Sequence, residues 1–222
     1  MSPRGRPRAF DRERALTEAM FVFWERGYEG ASLADLTGAM GINPPSLYAA
    51  FGSKEALFRE AVEQYSATYG SYTPRALAEE PTARAAIEAM LRDNVRVYVD
   101  PAHPSGCMVV LAATNCSPAN RSVCEHLGEL RDHVRELIRT RLRRGVEAGE
   151  LPEGTDVEAL GGFYATVLFG LSVQARDSAG LPELSLIIDA ALASWPGDPG
   201  SAGNPANDTG AVSTSDTAPA KS

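Results

Sequence analysis

The stretch from Ala31 to Phe58, ASLADLTGAMGINPPSLYAAFGSKEALF, decides the fold of this chain. Ser32 precedes a short apolar-periodic segment and has an acid three residues later, which is the pattern of a capping box. Gly41 ends that segment, and Asn43 stands before two prolines, where a cap and a first helical turn are expected. Ser53 is a third such cap, with an acid in the following turn. The stretch predicts two short helices joined by a tight turn and followed by a longer helix.

A preceding helix is predicted from about Asp11 to Arg26, because apolar residues repeat there at helical spacing and Gly27 can form a C-terminal cap. With the two short helices it makes a trihelical unit. Such a unit presents its third helix, here the one after Asn43, to the major groove of DNA. Lys54 adds a positive charge at the start of the next helix, where a phosphate binds favourably.

This stretch resembles the DNA-binding domain of the TetR family of bacterial regulators, from the first helix through about Glu63. The pattern is more restrictive than a generic two-helix pattern, because it fixes an order of features. They are a small cap, a short helix, Gly-Ile, a small polar residue, Leu-Tyr, an aromatic residue and Ser-Lys-Glu. Many family members carry larger or basic residues where this chain has Ala49 and Ala50, so their operator sequences cannot be transferred to it.

The resemblance implies that Tyr48 and Lys54 contact phosphates and that the start of the third helix lies at the groove. Tyr48 could instead complete the core of the domain, and Lys54 could be a solvated charge. Ser32 is a cap that can also contact a phosphate. The candidate DNA-binding residues of the domain are Ser32, Asn43, Pro44, Pro45, Ser46, Tyr48 and Lys54.

Both ends of the chain have compositions that cannot form a packed core. Arg4, Arg6 and Arg8 stand among Pro and Gly without acids, so we expect a flexible cationic arm that contacts the minor groove or the DNA backbone. The last part is rich in Gly, Pro, Ser and Thr and is predicted to be disordered. The predicted organisation is a basic arm over 1–9, a helix-turn-helix domain over 10–55, a helical effector-binding and dimerisation domain over 56–196, and a tail over 197–222.

The hydrophobic period is helical throughout the larger domain, so the predicted class is all-α, with about nine helices in total. The five helices after the connecting helix are predicted at Thr82 to Val99, Gly106 to Asn115, Ala119 to Ala148, Val157 to Ala179 and Pro182 to Trp195. The fourth of these is apolar almost all round and must be covered on both sides. We therefore expect the last two helices of each copy to form a four-helix bundle in a homodimer.

Composition limits where and how the protein acts. A net charge of -8 and a pI near 5.0 exclude non-specific coating of nucleic acid, so contact with double-stranded DNA must be local. The apolar run from Leu160 to Val173 is shorter than the roughly 18 residues of a membrane span, and no signal peptide is evident. Three cysteines are an odd number, unlike a secreted disulfide framework, so we expect reduced thiols and a cytoplasmic protein.

The resemblance further implies that the second domain binds a small-molecule effector, whose entry changes the spacing of the two DNA-reading heads. Apolar and amphipathic side chains between helices are candidates for the walls of its pocket, although ordinary core is the favoured interpretation for any one of them. These candidates are Met90, Tyr98, His103, Cys107, Phe163, Tyr164 and Phe169.

Cys107 opens a predicted helix within Pro104-Ser105-Gly106-Cys107-Met108, and a thiol in a first helical turn can have a lowered pKa. This string resembles an element of several family branches, including some that sense electrophiles or oxidants, but the same cysteine can also serve packing alone. Both interpretations stay open. A metal site from Cys116, Cys124, His126 and His133 lacks the paired spacing of structural zinc sites, so we predict no metal and no cofactor.

The function that these patterns favour is a repressor released from an inverted-repeat operator by a small molecule. The alternatives are a thiol-based sensor using Cys107, a helical enzyme with Cys107 as nucleophile and a histidine as base, and a helix-turn-helix that docks on protein. The enzyme has little support, because no glycine-rich phosphate loop, metalloprotease helix or nucleophile elbow is present.

Overall fold

A computed structural model describes residues 11–197 of the chain. The predicted arm with Arg4, Arg6 and Arg8 lies outside the described residues, as does the predicted tail from residue 198 onward. Within the described range every regular element is helical, which confirms the all-α class, and nine α-helices have eight or more residues. The α-helices are α1 (Arg12–Gly30), α2 (Leu33–Met40), α3 (Pro44–Phe51), α4 (Lys54–Ala67), α5 (Tyr72–Glu79), α6 (Ala83–Tyr98), α7 (Met108–Leu111), α8 (Arg121–Glu147), α9 (Val157–Arg176) and α10 (Leu181–Leu192).

The predicted helix caps are present at the starts of α2, α3 and α4. Ser32 Oγ accepts from the main-chain N–H of Asp35 at 3.1 Å, and Asp35 Oδ2 accepts from the main-chain N–H of Ser32 at 3.0 Å, which completes a capping box. Asn43 Oδ1 accepts from the N–H of Ser46 at 2.9 Å, and Ser53 caps α4 in the same way. Each bond satisfies a donor that the first helical turn leaves unpaired, so the caps fix where each helix begins.

Helix α1 does not stop at Gly27 but bends there and continues to Gly30. Gly27 adopts a φ of 70°, a left-handed value that glycine reaches without a steric penalty. A Cβ at this position would also lie 3.0 Å from the carbonyl oxygen of Ala112. The bend therefore brings the end of α1 against the segment that follows α7.

Two hydrophobic cores hold the described residues together. The first contains the interior of α1 to α4 and extends past the predicted boundary at residue 55, because Leu57 and Tyr65 of α4 belong to it, as do Met108 and Leu127 from α7 and α8. The second lies among α5, α6, α8, α9 and α10. Helices α7 and α8 contribute to the first core although they follow α6 in the chain, so the two domains share a continuous packed boundary.

Two helices differ from those predicted. The sequence did not indicate α5, which buries only Thr73, Ala76 and Leu77 and so shows less than two turns of apolar period. The helix predicted from Gly106 to Asn115 is reduced to the four residues of α7. It is followed by turns and a short 3-10 helix over Pro118–Asn120 that leads into α8.

The expectation of reduced thiols is wrong for two of the three cysteines in this structure. Cys116 and Cys124 form a disulfide with their Cα atoms 6.2 Å apart, and Cys107 is the free cysteine of the described residues. The first turn of α8 returns over the segment that follows α7, which brings two residues eight apart in sequence into bonding distance. The cysteine count could not show this return of the chain.

Helix α9 is long and apolar enough to cross a membrane by length and composition alone. In the structure it contacts α6, α8 and α10, and a single such helix is weak evidence because core helices have the same composition. The α9 and α10 surface keeps large apolar side chains exposed, which is the face expected of a subunit contact. These side chains are Phe163, Val173, Leu181, Leu186 and Ile187.

Candidate functional site

The exposed side of α3 carries most of the candidate DNA-binding residues. Leu47 is fully buried, whereas the next residue, Tyr48, is 45% exposed. Pro44 and Pro45 are exposed in the first turn, and Ser46 is half-buried. The arrangement gives α3 one face fixed in the core and one face of small and polar groups directed outward.

Two of the candidates are already engaged as caps. The Ser32 hydroxyl donates to Asp35 Oδ2 at 2.6 Å, and the bonds from Ser32 are the main cause that lowers the pKa of the Asp35 carboxyl. Asn43 uses its Oδ1 in the cap of α3, which leaves its amide N–H groups to donate to an acceptor outside the domain. Each role as a cap is compatible with a contact to DNA, but Ser32 has less hydrogen-bonding capacity left.

Lys54 lies at the first position of α4, beside the end of α1. Its Nζ is 4.5 Å from the centre of the Tyr28 ring, a cation–π contact. Burial lowers the pKa of Lys54, and the nearby Glu29 carboxylate opposes this decrease. The half-buried ammonium is therefore held at the helix N-terminus, where a phosphate would find both a cation and main-chain donors.

Two arginines that the sequence analysis did not single out hold the trihelical unit together. Arg12 makes an ion pair with Glu60 at 2.7 Å and lies 4.4 Å above the ring of Phe51, the last residue of α3. Arg26 pairs with Asp35 at 2.5 Å. These contacts join α1 to α2, α3 and α4, and no spacing within one helix reveals them because the partners lie on different helices.

The end of α1 is bonded to the segment between α7 and α8. Tyr28 donates its main-chain N–H to the carbonyl of Ala112 at 2.9 Å. The Glu29 carboxylate accepts from the Asn120 side chain at 2.8 Å and from the Ser117 N–H at 2.9 Å. These bonds, led by the one from Asn120, lower the pKa of Glu29. The DNA-facing domain is thus attached to the larger domain through main-chain and charged contacts.

A cavity of about 240 Å³ lies in the larger domain, between α4, α5, α6, α8 and α9 and the segment of α7. Of the candidate pocket residues, Tyr98, Cys107 and Phe169 line it. The remaining lining residues come from α4 and its end, α5, and the inner faces of α6 to α9. They are Tyr65, Ser66, Gly70, Thr73, Pro74, Asn94, Val109, Val110, Leu130, Arg131, His133, Val134, Leu137 and Leu168.

The other four candidate pocket residues lie elsewhere. Met90 is fully buried in the second core, and Tyr164 packs against Trp195 with ring centres 5.7 Å apart. Phe163 is 41% exposed on α9. The ring of His103 stacks on Trp24, an α1 residue, at 4.6 Å. The sequence indicated these residues as apolar or amphipathic, or as a neighbour of Cys107 in the case of His103, but it could not show which side chains meet the cavity.

Cys107 does not have the environment of an activated thiol. It precedes α7, its N–H donates to Ser172 Oγ at 2.8 Å, and it lines the cavity while packing against both cores. Burial raises the pKa of its thiol, and hydrogen bonding from the Tyr65 hydroxyl opposes only part of this increase. The lowered pKa that a first helical turn could produce is therefore absent, because desolvation outweighs the helix N-terminus.

Residues 11–197 contain no group of three or more His, Cys, Asp or Glu side chains that could hold a metal ion. Cys116 and Cys124 are bonded to each other, so neither sulfur is available as a thiolate ligand. His126 is partly buried beside the Arg59–Glu55 ion pair, and burial is the main cause that lowers its pKa.

Two family models match separate parts of the chain. Residues 15–61 match the family described as bacterial regulatory proteins, tetR family, and residues 83–178 match the tetracyclin repressor-like C-terminal domain. The chain is 32% identical to the HTH-type transcriptional repressor ComR of Escherichia coli over 87% of its length and 92% of the relative. It is 30% identical to the repressor BdcR of the same organism, over 81% and 86%.

A solved structure with a similar fold is that of a cysteine-substituted TetR family transcriptional regulator CifR, complexed with 26-bp double-strand operator DNA. It has a TM-score of 0.83 and 51% sequence identity, and the match covers 86% of this chain and all of that one. Matches to both domains, the relatives of similar length and the helix-turn-helix geometry lead to one conclusion: the chain belongs to the TetR family of bacterial regulatory proteins and is a DNA-binding transcriptional regulator.

Proposed function

We propose that this protein is a homodimeric repressor that binds an inverted-repeat operator and releases it when a small molecule enters the cavity. The observation that carries the proposal is the position of α7 between the two sites. Val109 and Val110 line the cavity, while Ala112, one residue past the helix, accepts the N–H of Tyr28 at 2.9 Å. A displacement of α7 by a ligand would therefore move the end of α1.

Further contacts connect the end of α1 to the DNA-facing surface. Tyr28 contacts Lys54 through its ring, and Glu29 is held by Ser117 and Asn120. Because packed elements transmit displacements instead of absorbing them, a shift of α7 would change the position of α4 and of the helix-turn-helix beside it. We assign DNA contact to Asn43, Pro44, Pro45, Ser46, Tyr48 and Lys54, with Ser32 as a second contact to phosphate, and minor-groove or backbone contact to Arg4, Arg6 and Arg8.

The homodimer follows from the family and from the exposed apolar face of α9 and α10. Regulators of this family act as dimers, and Leu186 on α10 is 70% exposed. A two-fold dimer places two copies of α3 about one DNA turn, or a small multiple, apart. The operator is therefore expected to be an inverted repeat, and the protein to act in the cytoplasm where the DNA is.

Reversible binding of the effector has more support than reaction with Cys107. A thiol acts as a nucleophile only as thiolate, and burial raises the pKa of this one. The same property disfavours a cysteine-dependent enzyme, and the stacking of His103 on Trp24 engages one of the histidines that would serve as its base. We infer that the protein is a regulator without catalytic activity.

The test is selection of bound sequences from random duplex DNA with the full-length dimer, refolded from denaturant to remove any retained ligand. Enrichment of an inverted repeat, bound with an affinity that falls steeply as salt increases, supports the proposal. Enrichment of a single half-site would contradict the dimer, and no enrichment at all would contradict DNA recognition by α3. A Lys54→Glu variant, which places a like charge beside the phosphate, is the matched control and should enrich nothing.

A further inference from the structure

The cavity has an unbalanced charge. Among the described residues that line it, Arg131 is the one permanent cation, and none is an aspartate or glutamate. His133, the other basic side chain, is exposed at the side where Ser66 and Pro74 are also exposed, so it marks the opening to solvent. Arg131 is half-buried and lies further inside.

Arg131 makes no direct ion pair with an acidic side chain of the described residues, although the charge of the adjacent Asp132 attracts it. Its Nη1 donates to the carbonyl of Val109 at 2.9 Å, and within residues 11–197 no carboxylate lies within ion-pairing distance of its guanidinium. The adjacent Asp132 pairs with Arg135 instead. Arg139, two turns further along α8, pairs with Glu158 at 2.8 Å. Arg131 therefore differs from its neighbours on the same helix.

The isolation of this cation has a free-energy cost. Burial is the main cause that lowers the pKa of Arg131, repulsion from Arg135 adds to this decrease, and the Asp132 carboxylate opposes part of it. A guanidinium remains charged in proteins, so this desolvation is relieved only by an anion or by further acceptors. One main-chain carbonyl uses one of its five N–H donors, which leaves donors for a ligand.

The remainder of the cavity is suited to an apolar body. Val110, Val134, Leu168 and Phe169 form much of its wall. Its volume of about 240 Å³ exceeds the roughly 150 Å³ of an engineered protein cavity that binds benzene. One ring or a short aliphatic chain therefore fits together with a small polar group.

We propose that the effector is a small carboxylic acid bound as its carboxylate, with the carboxylate oxygens on the Arg131 guanidinium and the apolar body against Val110, Leu168 and Phe169. The inference rests on the proposed function, in that it concerns the ligand of the same cavity. A carboxylate matches a guanidinium with two parallel hydrogen bonds. A phosphate monoester would bring close to two negative charges to a single cation, and an amine would bring a like charge.

The experiment uses two series of compounds that differ only in the polar group: benzoate, benzyl alcohol and benzylamine, and hexanoate, hexanol and hexylamine. Calorimetry gives their dissociation constants for the refolded full-length protein and for the Arg131→Gln, Arg131→Lys and Arg144→Gln variants. Arg144 is an exposed arginine on the same helix and outside the cavity lining, so its variant loses the same charge without changing the site.

The acid of at least one series should bind the wild type and Arg144→Gln alike. It should bind Arg131→Gln about tenfold or more weakly, as expected for a lost charge-assisted pair. Arg131→Lys should recover part of the affinity, because lysine keeps the charge and loses the planar fork. The alcohols should bind more weakly and respond little to the substitution. An affinity for the alcohols and an unfolding temperature that both equal those of the wild type would show that the Arg131→Gln variant is folded.

Alcohols or amines that bind as tightly as the acids, or acids that bind Arg131→Gln as well as the wild type, would overturn the carboxylate assignment. So would the absence of acid binding in both series. Operator binding by the unliganded protein is measured separately. Its loss contradicts the proposed regulator, whereas intact operator binding that no acid relieves contradicts only the chemical class of the effector.

Discussion

Arg176, at the end of α9, donates a hydrogen bond to the carbonyl oxygen of Trp24 on α1 at 2.8 Å. The usual helical donor to that carbonyl would be the N–H of Tyr28, four residues later. That N–H is bonded to Ala112 instead, because α1 bends at Gly27. A side chain of the larger domain thus completes the hydrogen bonding of a helix in the DNA-binding domain. Arg176 also donates to the main-chain carbonyl of Glu25 at 3.0 Å.

Replacing Arg176 by methionine should lower the free energy of unfolding by about 2 kcal/mol, because two charge-assisted bonds are lost, one to the part-buried carbonyl of Trp24 and one to the exposed carbonyl of Glu25. Denaturant unfolding of the dimer at a fixed protein concentration measures the change. Arg96→Met is the matched control, since Arg96 is an exposed arginine in an i,i+3 ion pair and such pairs contribute little. Equal effects of the two substitutions would show that the Arg176 contacts do not stabilise the domain boundary.

Lys54→Ala should weaken operator binding and reduce the slope of log affinity against log salt by about one, because one phosphate contact is removed. Ser46→Ala should change the preferred DNA sequence more than the salt slope, since we propose that the first turn of α3, which contains Ser46, faces the groove. Fluorescence anisotropy across a salt series, on the selected operator and on variants of it, separates the two effects. An unchanged salt slope for Lys54→Ala would remove Lys54 from the DNA contacts.

The local features of this fold could be predicted from the sequence, and the distant ones could not. Ser32 and Asn43 cap helices by bonding to N–H groups three residues ahead, so their role is visible in a short window. Glu29 and Asn120 are 91 residues apart, and no periodicity joins them. The same limit explains why only some of the candidate pocket residues line the cavity. Tyr98 lines the cavity whereas Met90, on the same helix, does not.

Arg131 shows the second limit of sequence reasoning. In the sequence it stands beside Asp132 on a helix rich in Arg and Glu, which is typical of a solvated face. Its significance depends on an absence, the lack of a carboxylate partner next to a cavity, and this is a property of three-dimensional arrangement. Helix α5 was missed for a related reason. Its packing on α6 stabilises it more than the repeat of apolar residues in its own sequence does.

Glu29→Gln should destabilise the protein at neutral pH and have little effect in acid. The hydrogen bonds from Asn120 and Ser117 lower the pKa of Glu29 below its ordinary value of 4.5. A carboxyl with a lowered folded pKa stabilises the fold above the unfolded pKa, and that stabilisation is lost as pH falls through the folded pKa. Thermal unfolding from pH 7 to pH 3 measures the difference. The gap in unfolding temperature between wild type and variant should shrink below pH 4.5. A gap that grows in acid would contradict the stabilising role of the Glu29 carboxylate.

Glu79→Gln is the control for this experiment, because Glu79 is an exposed carboxylate at the end of α5. Its substitution should leave the difference from wild type near zero throughout. A second effect is expected at the operator, because Glu29 also faces Lys54. The Glu29→Gln variant, which lacks that negative charge, should bind DNA slightly more tightly than the wild type. This effect on affinity is opposite to the loss of stability that the same substitution causes.

Reduction of the Cys116–Cys124 disulfide should lower the free energy of unfolding by about 2–3 kcal/mol, the value expected for a loop this short. Unfolding of the wild type with and without dithiothreitol measures it. The double variant Cys116→Ser, Cys124→Ser should be insensitive to the reductant, whereas Cys107→Ser should respond as the wild type does. A wild type indifferent to dithiothreitol would mean that the bond contributes nothing to stability.

Leu186→Glu should convert the dimer to a monomer at micromolar concentration, because it places a charge in the middle of the apolar face of α9 and α10. Leu186 is 70% exposed in the single chain, so the substitution removes little packing within the subunit, and the monomer should retain its helical content. Analytical ultracentrifugation gives the mass, and circular dichroism gives the fold. Ala78→Glu, on the exposed side of α5, should remain a dimer. A Leu186→Glu protein that sediments as a dimer would place the subunit contact elsewhere, and the two copies of α3 would then have a different separation on DNA.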